Sequence, residues 1–322
     1  LTPGITSGRI VTDPFTARVF FQNETKGKEN DADVSVGISP QPVFSETGLY
    51  QTDPISVTIT CSDPNAAIYY TTDGDEPSTK SHLYSGPVTV SESTPLRAVS
   101  VVSGKLVSDI TTATYLFVEP HTVPVVCITG NAKRINEVMR VDDKDEKVER
   151  LAYLSYYEAD GELGISFPAG IKPKGAGTIV YAQKSLSVNL RAGYGQSSVT
   201  YPFWDDYEFK TFSSLVLRNG GQDWSAARIR DSFISRLVEG MYVDNSATRP
   251  VVVYINGEYN GLYDLNEDLN SEFLVTHYGI DGDTVDFIRR NEAVIKGSNK
   301  DIRRVRTIGS NSDLSDDEKF AE

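Results

Sequence analysis

The chain has 322 residues, 39% of them hydrophobic, with 17 tyrosines and a formal net charge of −14. That length suits two or three folding units, and the abundance of tyrosine, threonine and valine leans toward β structure. So acidic a surface repels phosphate backbones and excludes nonspecific nucleic-acid binding, and no run of about 18 apolar residues is present to form a transmembrane helix.

Residues 1–40 are polar and punctuated. Arg18 to Phe21 reads as a strand, and Lys26 to Asp33 as a charge-mixed loop. Leu1 stands where a starting methionine would, and no signal-peptide pattern follows, so the chain reads as a mature fragment whose targeting information has been removed.

Residues 41–118 read as a small β sandwich. Ile55, Val57 and Ile59 alternate with polar residues, as do Val88 and Val90, then Tyr115 and Phe117. Turn signals separate these runs at Asp63-Pro64-Asn65, Asp73-Gly74, Ser85-Gly86-Pro87 and Ser103-Gly104. Tyr69 and Tyr70 straddle one strand, one facing in and one out; stacking of the outer ring on a sugar is the alternative. The stretches Ala67 to Pro77, Leu83 to Pro87 and Leu96 to Ala98 resemble the chitobiase/β-hexosaminidase C-terminal domain. That resemblance implies a fibronectin type III-like fold, of the kind appended to secreted enzymes and surface proteins. Such a unit serves as a spacer, with carbohydrate as a possible partner.

From residue 119 the character changes. Glu119 to Pro124 is a stiff linker, and Val125 to Ile128 opens a new strand. Asp142 to Arg150 is a mixed-charge loop or helix end, Leu151 to Glu158 a strand, and Gly164 to Gly177 a glycine-punctuated segment. Ser225 to Glu239 is the clearest helix: Ile229, Phe233 and Leu237 recur every fourth residue, Ser225 caps the start and Gly240 the end. Strands before and after a helix give residues 119–322 an α+β reading. Cys61 and Cys127 sit in apolar strand-like runs and read as buried free thiols, one disulfide being the alternative.

Three clusters carry the candidate chemistry. Gly175 and Gly177 let backbone approach an anion, and Lys184 at a strand entry reaches a phosphate as a point charge. Arg218 ends a strand in Arg-Asn-Gly-Gly before a helix, an anion-facing turn, or else a structural partner for Asp231. Finally, two β-branched and aromatic runs flank Asn256-Gly257, the pair suited to a type I′ hairpin turn, and the second strand delivers Glu267 near its end. Asp264, Asp268 and Asn270 add oxygens suited to a hard cation, or form a solvated acidic loop.

The order Gly175, Lys184-Ser185, Tyr194-Gly195, Tyr201 to Trp204, Arg218 to Gly221, the Gly257 to Glu267 hairpin and His277-Tyr278-Gly279 resembles the spore-coat CotH kinase-like family. The resemblance implies an atypical kinase in an exported bacterial protein, using ATP and magnesium to phosphorylate protein hydroxyls. It assigns Lys184 to the phosphates; on this reading the Gly175 to Gly177 backbone cradles them, Arg218 counts among the nucleotide-binding residues, and Glu267 orients Lys184 or the metal. Asn266 and Asp268 flank Glu267 where relatives carry arginines, and Ile179 and Val180 stand where another arginine is common. The family's domain runs well past Ser298 and supplies metal-binding aspartates there, so this fragment, ending in an acidic Ser310 to Glu318 stretch, is expected to be inactive on its own. An inert cell-surface or adhesion protein, with coat or surface proteins as partners, is the alternative.

Overall fold

A computed structural model describes residues 37–311, except 147, 206, 242 and 290–292, together with three short strands before them, Thr6–Gly8, Val19–Phe21 and Val34–Ser35, which pair antiparallel in that order. The charge-mixed run from Lys26 to Asp33 and residues 312–318 of the acidic stretch lie outside the described residues. The fold is mostly β-sheet with a small helical content, and the chain divides into two compact units, Leu1–Glu267 and Asp268–Glu322.

The first unit begins with the sandwich. Strands Thr111–Tyr115, Thr94–Val101, Ala67–Thr71 and His82–Leu83 form one sheet, and the strand pairs Ile55–Val57 with Val88–Val90 and Val43–Phe44 with Ile59–Thr60 complete it. Alternation puts Val57, Ile59, Val88, Val90, Leu96 and Tyr115 into a shared core. Tyr70 and Tyr69 are both half-buried, with the Tyr70 ring 5.4 Å from His82. Both cysteines are free, and burial pushes the Cys127 thiol up to about 12.

Beyond the linker, seven strands close into a barrel: β1 (Val125–Thr129), β2 (Arg150–Tyr157), β3 (Leu163–Lys174), β4 (Ser185–Asn189), β5 (Ser214–Arg218), β6 (Thr248–Ile255) and β7 (Glu258–Glu267). Their order around the barrel is β1-β2-β3-β4-β5-β7-β6, and the parallel pairing of β6 with β1 closes it. The interior is filled by Val126, Ile128, Leu186, Val188, Leu215, Leu217, Tyr263 and Leu265, with Phe203 and Trp204 packed among them from the β4–β5 connection. The glycine-punctuated segment from Gly164 is, as far as Lys174, one long strand. Its glycines serve close packing: a Cβ on Gly164 would meet the Tyr201 hydroxyl at 2.2 Å, and one on Gly170 would meet Glu149 Oε1 at 2.5 Å.

Two helices accompany the barrel. Helix α1 (Ala132–Met139) starts at Asn131, whose side chain accepts from Arg134 N, and buries Ile135 and Val138. Helix α2 (Arg230–Leu237) is shorter than its periodicity predicts, because Arg228 has φ +62° and breaks the chain just before it. Ile229, Phe233, Ile234 and Leu237 stay exposed, so the every-fourth-residue pattern here does not mark a core face.

The sandwich and barrel meet over a dry junction built from Leu49, Leu116, Val125, Cys127, Tyr157, Val252 and Tyr254. Arg97 leaves the sandwich sheet on the face opposite its core and is 0% exposed. Its guanidinium donates to Gly74 O at 2.8 Å and lies 4.3 Å over the Tyr153 ring of β2. The Asn256-Gly257 hairpin is the type I′ turn expected, with φ +49° and +83°. It presses into this junction: Asn256 Oδ1 accepts from Gly130 N at 3.0 Å and Nδ2 donates to Gly130 O at 2.8 Å.

The second unit holds α3 (Ser271–Tyr278), a hairpin of Phe287–Arg289 with Ala293–Lys296, and α4 (Lys300–Asn311). Asn270 caps α3, its Oδ1 accepting from Glu272 N and Phe273 N at 2.8 and 3.1 Å.

A Cβ on Gly257 would stand 2.7 Å from Ser93 O, at a backbone angle that side chains rarely adopt, whereas one on Gly177 would meet nothing within 4 Å. Gly257→Ala is expected to lower unfolding stability by about 2–4 kcal/mol and Gly177→Ala to leave it within about 0.5 kcal/mol, as measured by urea denaturation.

Candidate functional site: the Lys184 mouth of the barrel and the outer face of β7

Lys184 enters β4 beneath the loop that begins at Gly175. It is 4% exposed, and Nζ donates to Ile179 O at 2.5 Å. Burial holds its pKa below the usual lysine value, partly offset by Asp142. Among the described residues it forms no ion pair. Gly175 has φ +129°, with Thr178 Oγ1 close over it, while Gly177 faces open space. Asn219, at the end of β5, ties the entry of β4 down: its backbone N donates to Ser185 Oγ at 3.1 Å, and its Nδ2 to Gln183 O at 2.5 Å.

Strand register separates Lys184 from Glu267. Asn219 sits beside Lys184, whereas Glu267 pairs with Leu215 at the other end of β5, four strand positions or about 13 Å away. Glu267 therefore does not orient Lys184. It is buried at the opposite mouth, where Oε2 accepts from the Tyr207 hydroxyl and Ser246 Oγ donates to its backbone carbonyl at 2.6 Å. Burial, then that bond, raises the Tyr207 pKa well above the phenol value. A pocket of about 100 Å³ opens beside it, lined by Trp204, Tyr207, Arg236, Glu239, Asn245 and Thr248.

The Arg-Asn-Gly-Gly turn is built for a cation to fold back rather than to face an anion. Gly220 and Gly221 have φ +84° and +59°, and a Cβ on Gly221 would stand 2.5 Å from an Arg218 nitrogen. Arg218 is held by Asp231 of α2, through Nε and a terminal nitrogen. The N-terminus of α2 already carries its own carboxylate: Asp223 accepts from Arg230 N at 3.2 Å and from its guanidinium at 3.1 Å.

Alternation along β7 brings an unexpected residue here. Tyr263 and Leu265 face the barrel interior, so Asp264 lies on the outer face, opposite Arg218 in the register. It is 8% exposed, and no described residue hydrogen-bonds its carboxylate. Burial, then Asp231, raises its pKa to about 6 against the lowering pull of Arg218 and Arg228. Arg228 is fixed alongside, donating to Trp224 O at 2.7 Å, to Leu262 O at 3.3 Å and to Gln183 Oε1. The sequence offered Asp264 only as one acid among several, because its burial depends on α2 and β5 packing over it.

Residues 171–321 match the family model described as CotH kinase protein, and residues 45–112 match the chitobiase/beta-hexosaminidase C-terminal domain. The two matches follow one another along the chain, chitobiase-type first and CotH kinase second. No curated protein matches it. The CotH match begins inside β3 and takes in β4 to β7, so β1, β2 and most of β3 complete the barrel from outside the matched residues. No helix among the described residues is long and apolar enough to cross a membrane.

For magnesium the residues offer no ready-made cluster: among those described, no three His, Cys, Asp or Glu side chains gather as metal ligands. Within the residues that match CotH kinase, an ammonium is buried under a glycine-bearing loop and, among the described residues, hydrogen-bonds one backbone carbonyl.

Because the folded pKa of Asp264 lies above its ordinary value of 3.8, stability present below pH 3.8 is lost as pH rises through about 6. Asp264→Asn is expected to flatten that decline and to gain on the order of 2–3 kcal/mol at pH 7, read from urea denaturation midpoints at pH 4, 6 and 7.

Proposed function

We propose that residues 119–322 form a nucleotide-binding, α+β region of the CotH atypical-kinase type. The kinase transfers the γ-phosphoryl group of ATP to a protein hydroxyl with magnesium as its metal, although no three His, Cys, Asp or Glu side chains gather among the described residues. The single observation that carries the reading is Lys184, buried at the barrel mouth with no ion pair to a carboxylate among the described residues. A phosphate oxygen would replace the Ile179 carbonyl as its acceptor, and so charged a partner offsets the cost of burying the ammonium. Loop N–H groups from Gly175 to Gly177 would bind the same anion. Arg218 is committed to Asp231 and plays no part in this, and Glu267 acts at the other mouth. The chitobiase-type domain then serves as a spacer in a secreted or cell-surface protein.

A second reading has its own observation. Arg218 and Arg230 are compensated by Asp231 and Asp223, which reduces the positive charge left for a triphosphate and favours an inert surface or adhesion role.

Calorimetric titration with ATP and magnesium separates the two. Saturable binding that weakens by about tenfold or more in Lys184→Met is expected for the nucleotide site. Absence of heat with wild-type protein would support the inert reading, and binding unaffected by the substitution would move the site elsewhere.

A further inference from the structure

The outer face of β7 carries a second site, independent of the phosphate reading. Asp264 is the floor of a groove of about 100 Å³ whose walls are Ile229, Pro250 and Leu262, with Arg218 and Arg228 at its sides. A charged carboxylate this deeply buried is costly unless something donates to it. The chain supplies no such donor among the described residues, although two arginines stand nearby. The hydrogen bonds of both point elsewhere. Arg218 is neutralised by Asp231, and Arg228 is turned toward Gln183 and two backbone carbonyls by a strained backbone that its own hydrogen bonds hold in place.

The dimensions narrow the occupant. At about 100 Å³ the groove is well below the range of roughly 300–1,000 Å³ usual for small-molecule sites, and is closer to the size of one side chain. Aliphatic walls above an acidic floor match a hydrocarbon stem ending in a compact cation. An anion would meet the carboxylate head-on, and a planar guanidinium would need a wider fork. The net charge of −14 draws basic partners to the surface in general.

We propose that this groove is a lysine pocket, in which Asp264 receives the ammonium group of a lysine presented by a basic polypeptide, while the stem of that lysine lies against Ile229, Pro250 and Leu262.

Protons compete with the ammonium for Asp264. The charged groups facing it are Arg218 on β5, Arg228 before α2 and Asp231 on α2, and together with burial they hold it near pH 6. A lysine ammonium keeps its charge throughout the neutral range, so affinity rises as Asp264 ionises, by about tenfold between pH 5 and pH 7.

The test uses the whole chain and a Ser-Ser-Lys-Ser-Ser peptide, followed by chemical shifts of groove backbone amides. Saturable binding with a dissociation constant on the order of millimolar is expected at pH 7, about tenfold weaker at pH 5. The Nε-acetylated peptide and the Asp264→Asn protein should each abolish it, the latter with an otherwise unchanged amide spectrum. Equal binding of the acetylated peptide, retention in Asp264→Asn, tighter binding of the arginine counterpart, or no saturable shift in wild-type protein would overturn the assignment. Because none of these readouts involves ATP, failure here leaves the Lys184 reading standing, and the converse also holds.

Discussion

The parallel pairing of β1 with β6 is the constraint on which the rest of the first unit depends. Val125 to Ile128 run alongside Val252 to Ile255, and the contact is extended by Val252 N donating to Pro124 O and Asn256 N to Ile128 O, each at 2.9 Å. Without it the barrel would be an open sheet with two bare edges. With it, β6 is anchored to the first strand after the linker, so its hairpin must turn against the sandwich. β7 then returns antiparallel along β6 and β5, which sends its two acidic residues of interest to different places: Glu267 inward at one mouth, Asp264 outward near the other.

Four of the buried charged groups differ in how far they are satisfied. Arg97 spreads its charge over a carbonyl and an aromatic face at the junction. Lys184 leans on one backbone carbonyl, and Glu267 on a tyrosine hydroxyl. Asp264 has none of these supports, only two arginines whose hydrogen bonds point elsewhere. Structural charges in a folded protein are normally paired because an unpaired one costs several kcal/mol, so the groups with the thinnest support, Lys184 and Asp264, stand out as places where an outside molecule completes the structure.

What the sequence disclosed was local. The sandwich strands followed from alternation such as Ile55, Val57 and Ile59, and the Asn256-Gly257 turn from the demand for two positive φ angles. Closure of the barrel was not legible, because Val125 and Val252 meet across more than a hundred residues with no local trace of the pairing. The same blindness affected Gly164 and Gly170, whose neighbours Tyr201, Glu149 and Tyr194 are distant in the chain or on another strand. Helix α2 was drawn too long because periodicity at Ile229 and Phe233 persists through a break set by the left-handed Arg228. For the candidate site, Lys184 reaches back to Ile179 in the loop that begins at Gly175 and includes Gly177. Glu267 did not join them, because only strand register decides which mouth it reaches.

The hairpin turn also bears on how the molecule ages. An asparagine followed by glycine is the sequence most open to spontaneous loss of its side-chain amide, as the next backbone nitrogen attacks the amide carbon and expels ammonia. Asn256 precedes Gly257, yet its amide is gripped at both ends by the backbone of Gly130, which restrains it from swinging toward that nitrogen. Its conversion to a carboxylate would set a negative charge against the Gly130 carbonyl it now serves as donor, beside the tight approach of Gly74. Chemical damage at this one amide would thus be felt first as a loosening of the seam between sandwich and barrel, far from either acidic strand end.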